Sequence, residues 1–159
     1  MIKKDTLPDV ALLQEYVRKG AYTDCYSTEI DRSVALAEYV TAFYTTWLFK
    51  LERLILRWAV ARPSTDEQVR QLVDGELDVF SAWSVEGRSE NQLLMCDFQS
   101  RTRSWFMVLD TQLYFGSAVI PVRDPETGEK SLRPTYKALL GFHRLYSRAL
   151  LYCAKSRLQ

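Results

Sequence analysis

Residues 92–122 read QLLMCDFQSRTRSWFMVLDTQLYFGSAVIPV, a run of apolar, aromatic and β-branched side chains broken by polar residues at 99–102 and 110–111. Strands of five to eight residues bounded by such breaks place successive side chains on opposite faces. The breaks predict strands at 92–99, 102–109 and 112–122. Upstream, 77–86 continues the period and stops at the polar segment 87–91. Four consecutive strands joined by short turns predict an antiparallel meander.

Turn lengths set the register. A two-residue turn at Asp110-Thr111 places Leu109 opposite Gln112, a turn at 99–102 places Phe98 opposite Arg103, and a turn at 87–91 places Glu86 opposite Gln92. Followed across the sheet, these registers align Ser81, Asp97, Ser104 and Ser117 in one row. The next row is Trp83, Met95, Phe106 and Phe115, and beyond it stand Val85, Leu93, Val108 and Leu113. Small polar residues bounded by aromatics commonly line ligand pockets, so this face is expected to look into a cavity. Alternatively, the hydroxyls satisfy a half-buried carboxylate by cross-strand hydrogen bonds. The opposite face carries Phe80, Leu94, Phe98, Met107, Tyr114 and Ile120, with Trp105 set against Gly116. A face that apolar needs a cover, either the N-terminal helix or a second subunit.

Outside the meander, Ala21 to Ile30 alternates as a fifth strand, with Tyr22, Tyr26 and Ile30 on one side and Ser27 and Glu29 on the other. Residues 8–19 predict a short helix with Val10, Leu13 and Val17 on one face and Gly20 at its end. Ser33 is a candidate N-cap for a helix carrying Leu36, Val40 and Phe43; Thr45-Thr46 interrupts it, and Trp47 to Trp58 forms a second with a wide apolar stripe. Ser64-Thr65-Asp66-Glu67 reads as a capping box opening a third helix that ends at Gly75. A long helix from Pro134 to Arg157 closes the chain, with Phe142, Tyr146, Ala149, Leu150 and Cys153 inward. The class is α+β, a helix-grip arrangement in which a curved antiparallel sheet packs on the long C-terminal helix.

Composition sets the frame for this reading. With 159 residues, 47% hydrophobic and 13% aromatic, the chain predicts one domain over 1–159 and excludes disorder. The longest apolar run, Ala149–Ala154, is far short of the roughly 20 residues of a membrane span, and Asp5, Pro8 and Asp9 leave no signal-peptide core. Cys25, Cys96 and Cys153 show neither metal-ligand spacing nor a disulfide framework. The expectation is a cytoplasmic protein with no membrane span, no metal and no cofactor. Residues 130–159 hold seven basic and no acidic side chains, yet Lys137, Arg144, Arg148 and Lys155 share one helical stripe, which reads as a solvated face and predicts no nucleic-acid binding.

Three segments carry a resemblance. Tyr22-Thr23-Asp24-Cys25-Tyr26, Leu93-Leu94-Met95-Cys96-Asp97 and Phe142-His143-Arg144-Leu145 resemble a bacterial domain-of-unknown-function family of the START-like superfamily, which includes Bet v allergens and polyketide cyclases. Arg101-Thr102-Arg103 stands where members carry His-Leu-Asp, and five strands are counted where the superfamily has seven. The resemblance implies an internal apolar cavity holding a small apolar or aromatic molecule, and no single reaction.

Candidate ligand-binding residues are therefore Ser81, Trp83, Met95, Asp97, Ser104, Phe106, Phe115, Ser117, His143 and Tyr146. Arg101 is added at the rim, where its cation would meet an anionic head group; an ordinary solvated turn arginine is the other reading. The expected function is non-catalytic small-molecule binding. The alternatives are a cyclase, isomerase or dehydratase using His143 and Asp97 as acid and base, or a dimeric interaction module, a homodimer formed through the second apolar sheet face and the N-terminal segment. No Gly-x-Ser-x-Gly elbow or phosphate loop is present in the sequence.

Overall fold

The computed structural model describes residues 1–59, 63–123, 130–131 and 134–159, with side chains for 1–54, 63–121 and 144–159. The fold is α+β. Its strands are β1 (Lys3–Lys4), β2 (Tyr22–Glu29), β3 (Val79–Phe80), β4 (Trp83–Ser89), β5 (Gln92–Asp97), β6 (Thr102–Leu109), β7 (Gln112–Val119), β8 (Val122–Arg123) and β9 (Lys130–Ser131). The helices are α1 (Gln14–Arg18), α2 (Leu36–Tyr44), α3 (Trp47–Ala59), α4 (Asp66–Val73) and α5 (Pro134–Leu158). Seven strands form one open antiparallel sheet in the order β1-β2-β7-β6-β5-β4-β3, and β8 pairs with β9 separately.

The β6–β7 register agrees with the two-residue turn, from Thr102 opposite Val119 to Leu109 opposite Gln112. The β5–β6 register, and the β4–β5 register over Trp83–Val85, differ from expectation by two residues. Asp97 Oδ1 accepts from the Arg101 N–H at 2.7 Å and the Thr102 N–H at 3.0 Å, so the turn reaches back into the predicted strand and Cys96, not Phe98, faces Arg103. On the other edge β4 runs on to Ser89, which pairs with Gln92, and a bulge between Val85 and Gly87 absorbs one residue. In the unbulged part Trp83 therefore faces Asp97 rather than Met95. A two-residue displacement keeps every side chain on its face and moves it one row along.

Other differences are local. The predicted strand 77–86 breaks at Ser81, whose left-handed backbone turns β3 into β4. That hairpin and β1, whose Lys3 and Lys4 pair with Ser27 and Tyr26, raise the main sheet from five strands to seven. The first predicted helix shrinks to α1, because Ala11 and Gln14 close three-residue turns onto Pro8 and Ala11, and Val10 is left exposed. Helix α2 is capped at Ala35 rather than Ser33. The capping box lies one residue on: Thr65 Oγ1 accepts from the Gln68 N–H and Gln68 Oε1 from the Thr65 N–H.

The two sheet faces bury separate apolar clusters. The inner cluster joins Tyr26, Leu93, Met95, Phe106, Val108, Leu113 and Phe115 to α2, α4 and the end of α5. The outer cluster joins Cys25, Leu94, Trp105, Met107, Tyr114 and Ala118 to Ala11, Leu13 and Tyr16. The chain's own N-terminal segment thus covers much of that face, while Phe98 stays exposed. Gln92 fixes the cover: its Oε1 accepts from Trp105 Nε1 and the Leu12 N–H, and its Nε2 donates to the Val10 carbonyl. Of the basic helix face, Arg144 donates to Tyr22 Oη and Lys155 to the Glu29 carbonyl. Among the described residues, no helix is long and apolar enough to cross a membrane.

Candidate functional site

A cavity of about 200 Å³ lies between the inner sheet face and helices α2, α3 and α5. Its walls come from Phe43 and Tyr44 of α2, Phe49 and Glu52 of α3, Trp83 of β4, Thr102, Arg103, Ser104 and Phe106 of β6, Phe115 of β7, and Tyr146, Ser147 and Leu150 of α5. The rings brace one another: Phe43 stands edge-on to Phe106 with centroids 4.8 Å apart, lies 4.8 Å from Phe115, and Tyr44 lies 4.7 Å from Phe49. Such contacts add to burial and hold the walls in place.

The α2–α3 junction aims these side chains. Thr46 Oγ1 donates to the Phe43 carbonyl and accepts from the Phe49 N–H, so the chain breaks after Tyr44 and restarts at Trp47. Tyr44 and Phe49, on opposite sides of the break, consequently reach the same cavity.

One carboxyl faces into it. Glu52 accepts a hydrogen bond from Tyr146 Oη, a bond from α5 to α3 across the cavity. Burial among aromatic rings pushes the Glu52 carboxyl above its usual range, and the Tyr146 hydrogen bond opposes this only partly. Burial likewise raises the Tyr146 and Tyr44 phenols, helped by the Glu52 charge. Two further polar atoms of the walls, Tyr44 Oη and Trp83 Nε1, are buried with no hydrogen-bond partner among the described residues.

Trp83, Ser104, Phe106, Phe115 and Tyr146 of the expected site are brought together here. Ser81, Asp97, Ser104 and Ser117 do not form a row. The row through Ser104 and Ser117 runs Val85, Met95, Ser104, Ser117 and Asp24, because both outer registers are displaced. Ser117 Oγ donates to Asp24 Oδ1, so the carboxylate met by a cross-strand hydroxyl is Asp24. Asp97 instead closes the β5–β6 turn, Ser81 occupies the β3–β4 turn, and Met95 is fully buried in the core without lining the cavity. Arg101 also lies off the cavity wall, its backbone bound to Asp97. The Arg103 guanidinium is on the outer face, 2.7 Å from Glu86 and donating to Tyr16 Oη at 2.8 Å. His143 belongs to α5, but its side chain lies outside the described residues, as does that of Phe142.

Sequence reading missed the α2 and α3 contribution. A signal was present: Glu52 stands four residues after Leu48 and three after Phe49, a carboxyl interrupting an apolar helical face. Among the described residues no group of three or more His, Cys, Asp or Glu side chains is placed to hold a metal ion. No protein-family model, curated protein or solved structure matches the chain.

Proposed function

We propose that the protein binds a small apolar or aromatic molecule in the cavity between its sheet and helices α2, α3 and α5, in the manner of a START-like helix-grip domain. The observation that carries this reading is an aromatic-walled cavity of about 200 Å³ whose polar atoms are not all bonded among the described residues. Native interiors are close-packed and buried polar atoms are nearly always bonded, so a void with unpaired groups is the usual mark of a ligand site. The strand order around a long C-terminal helix also supports it.

An NMR titration with toluene tests the proposal. Saturable shifts confined to residues of the cavity wall are expected, and Ser104→Leu, which fills the space, is expected to abolish them. Shifts that fail to saturate, or that persist unchanged in Ser104→Leu, would overturn it. Native mass spectrometry of the purified protein supplies a second readout, because a retained ligand adds its mass.

A further inference from the structure

The unpaired atoms of the cavity have a chemical direction. An indole N–H only donates, and a phenol O–H lacking an acceptor is free to donate. Trp83 Nε1 and Tyr44 Oη are thus two buried donors on wall residues, with no acceptor for either among the described residues. The Glu52 carboxyl bonds to Tyr146 instead. What completes such a wall is an acceptor brought in from outside.

The charge state of that acceptor follows from the surroundings. An ammonium group has donors only and would leave the Trp83 N–H unpaired. An anion would be desolvated beside the Glu52 carboxyl, with no cationic side chain directed at it among the described residues: Arg103 is engaged by Glu86 and Tyr16 on the outer face. A neutral oxygen has neither difficulty. Size is bounded as well, since an apolar cavity of about 150 Å³ holds one benzene ring. About 200 Å³ therefore admits a single ring with a short substituent.

We infer that the cavity selects a neutral, ring-sized molecule bearing a carbonyl oxygen, which accepts hydrogen bonds from Tyr44 Oη–H and Trp83 Nε1–H. This rests on the proposed ligand-binding function and names its ligand class. A carbonyl has two lone pairs, enough for both donors, while its ring fills the space among Phe43, Phe49, Phe106 and Phe115.

Three probes of similar shape separate the possibilities: acetophenone, its isostere α-methylstyrene in which CH₂ replaces the oxygen, and 1-phenylethylammonium. Affinities are measured by calorimetry for the wild type, Tyr44→Phe and Trp83→Phe, both of which keep the ring. The acetophenone to α-methylstyrene affinity ratio is expected to fall about 5-fold in each variant, with α-methylstyrene binding itself within about 2-fold of wild type. Circular dichroism confirms that each variant is folded before its ratio is read. A ratio unchanged in either variant overturns the inference while leaving the cavity as a binding site. Tightest binding of the ammonium probe also overturns it, and makes Glu52 the anchoring carboxylate. If none of the three binds and toluene does not either, the binding function itself fails.

Discussion

Tyr146 on α5 donates its hydroxyl hydrogen to the Glu52 carboxyl on α3, and this bond spans the mouth of two helices over an aromatic-walled cavity. A carboxyl in such a place is tolerated because it can take up a proton and because one donor reaches it.

Glu52→Gln tests the electrostatic part of that arrangement. The carboxyl is raised in the fold, so protonation is favoured there over the unfolded chain. Its contribution is fully present below the ordinary Glu range and is lost as pH rises through the raised value. Gln is neutral at every pH and still accepts from Tyr146. Thermal melts of wild type and variant should therefore be close at pH 4 and diverge by pH 8, the variant melting higher. Equal differences at both pH values would mean that Glu52 is not raised.

Tyr44→Phe should stabilise the ligand-free protein by about 1 kcal/mol, because it deletes a buried hydroxyl that makes no bond among the described residues. Urea denaturation of the two proteins without ligand reads this directly. A loss of stability would show that the hydroxyl is paired in solution.

Gly116→Ala acts on the other side of the sheet. A Cβ there would stand 2.9 Å from Trp105 Cε3, 3.0 Å from the Asp24 carbonyl oxygen and 3.1 Å from Leu13 Cδ2. Trp105 is fully buried and the Asp24 atom is backbone, so neither yields cheaply. The expected cost is about 1–3 kcal/mol by chemical denaturation, the range for overpacking a core. A smaller cost would mean that the N-terminal cover shifts to make room.

Gln92→Leu removes the amide that ties Leu12 and Val10 to Trp105. It leaves a buried indole N–H without its acceptor, at a cost of about 1–3 kcal/mol. Because the tie holds the N-terminal cover, hydrogen exchange of residues 10–18 should accelerate more than that of β6 and β7. Uniform acceleration would show that the segment and the sheet open together.

Much of this architecture is legible in the sequence. The period-two run 92–122 determines the β6–β7 hairpin, its register and the face of each residue, because alternation and a two-residue turn are local properties. Gly75 and the polar run before Gln68 likewise determine where α4 starts and stops, to within a residue. Tertiary structure alone decided how far each turn reaches into its strands. The Asp97 carboxylate bonding two backbone N–H groups, and the bulge after Val85, each move one strand past its neighbour by amounts no local pattern encodes. The acid beside Ser117 is Asp24, because β2 pairs with β7 from 93 residues away in sequence. The cavity is decided the same way: Tyr44, Glu52, Trp83 and Tyr146 lie on four elements, and only packing those elements around the sheet turns four unrelated positions into one wall.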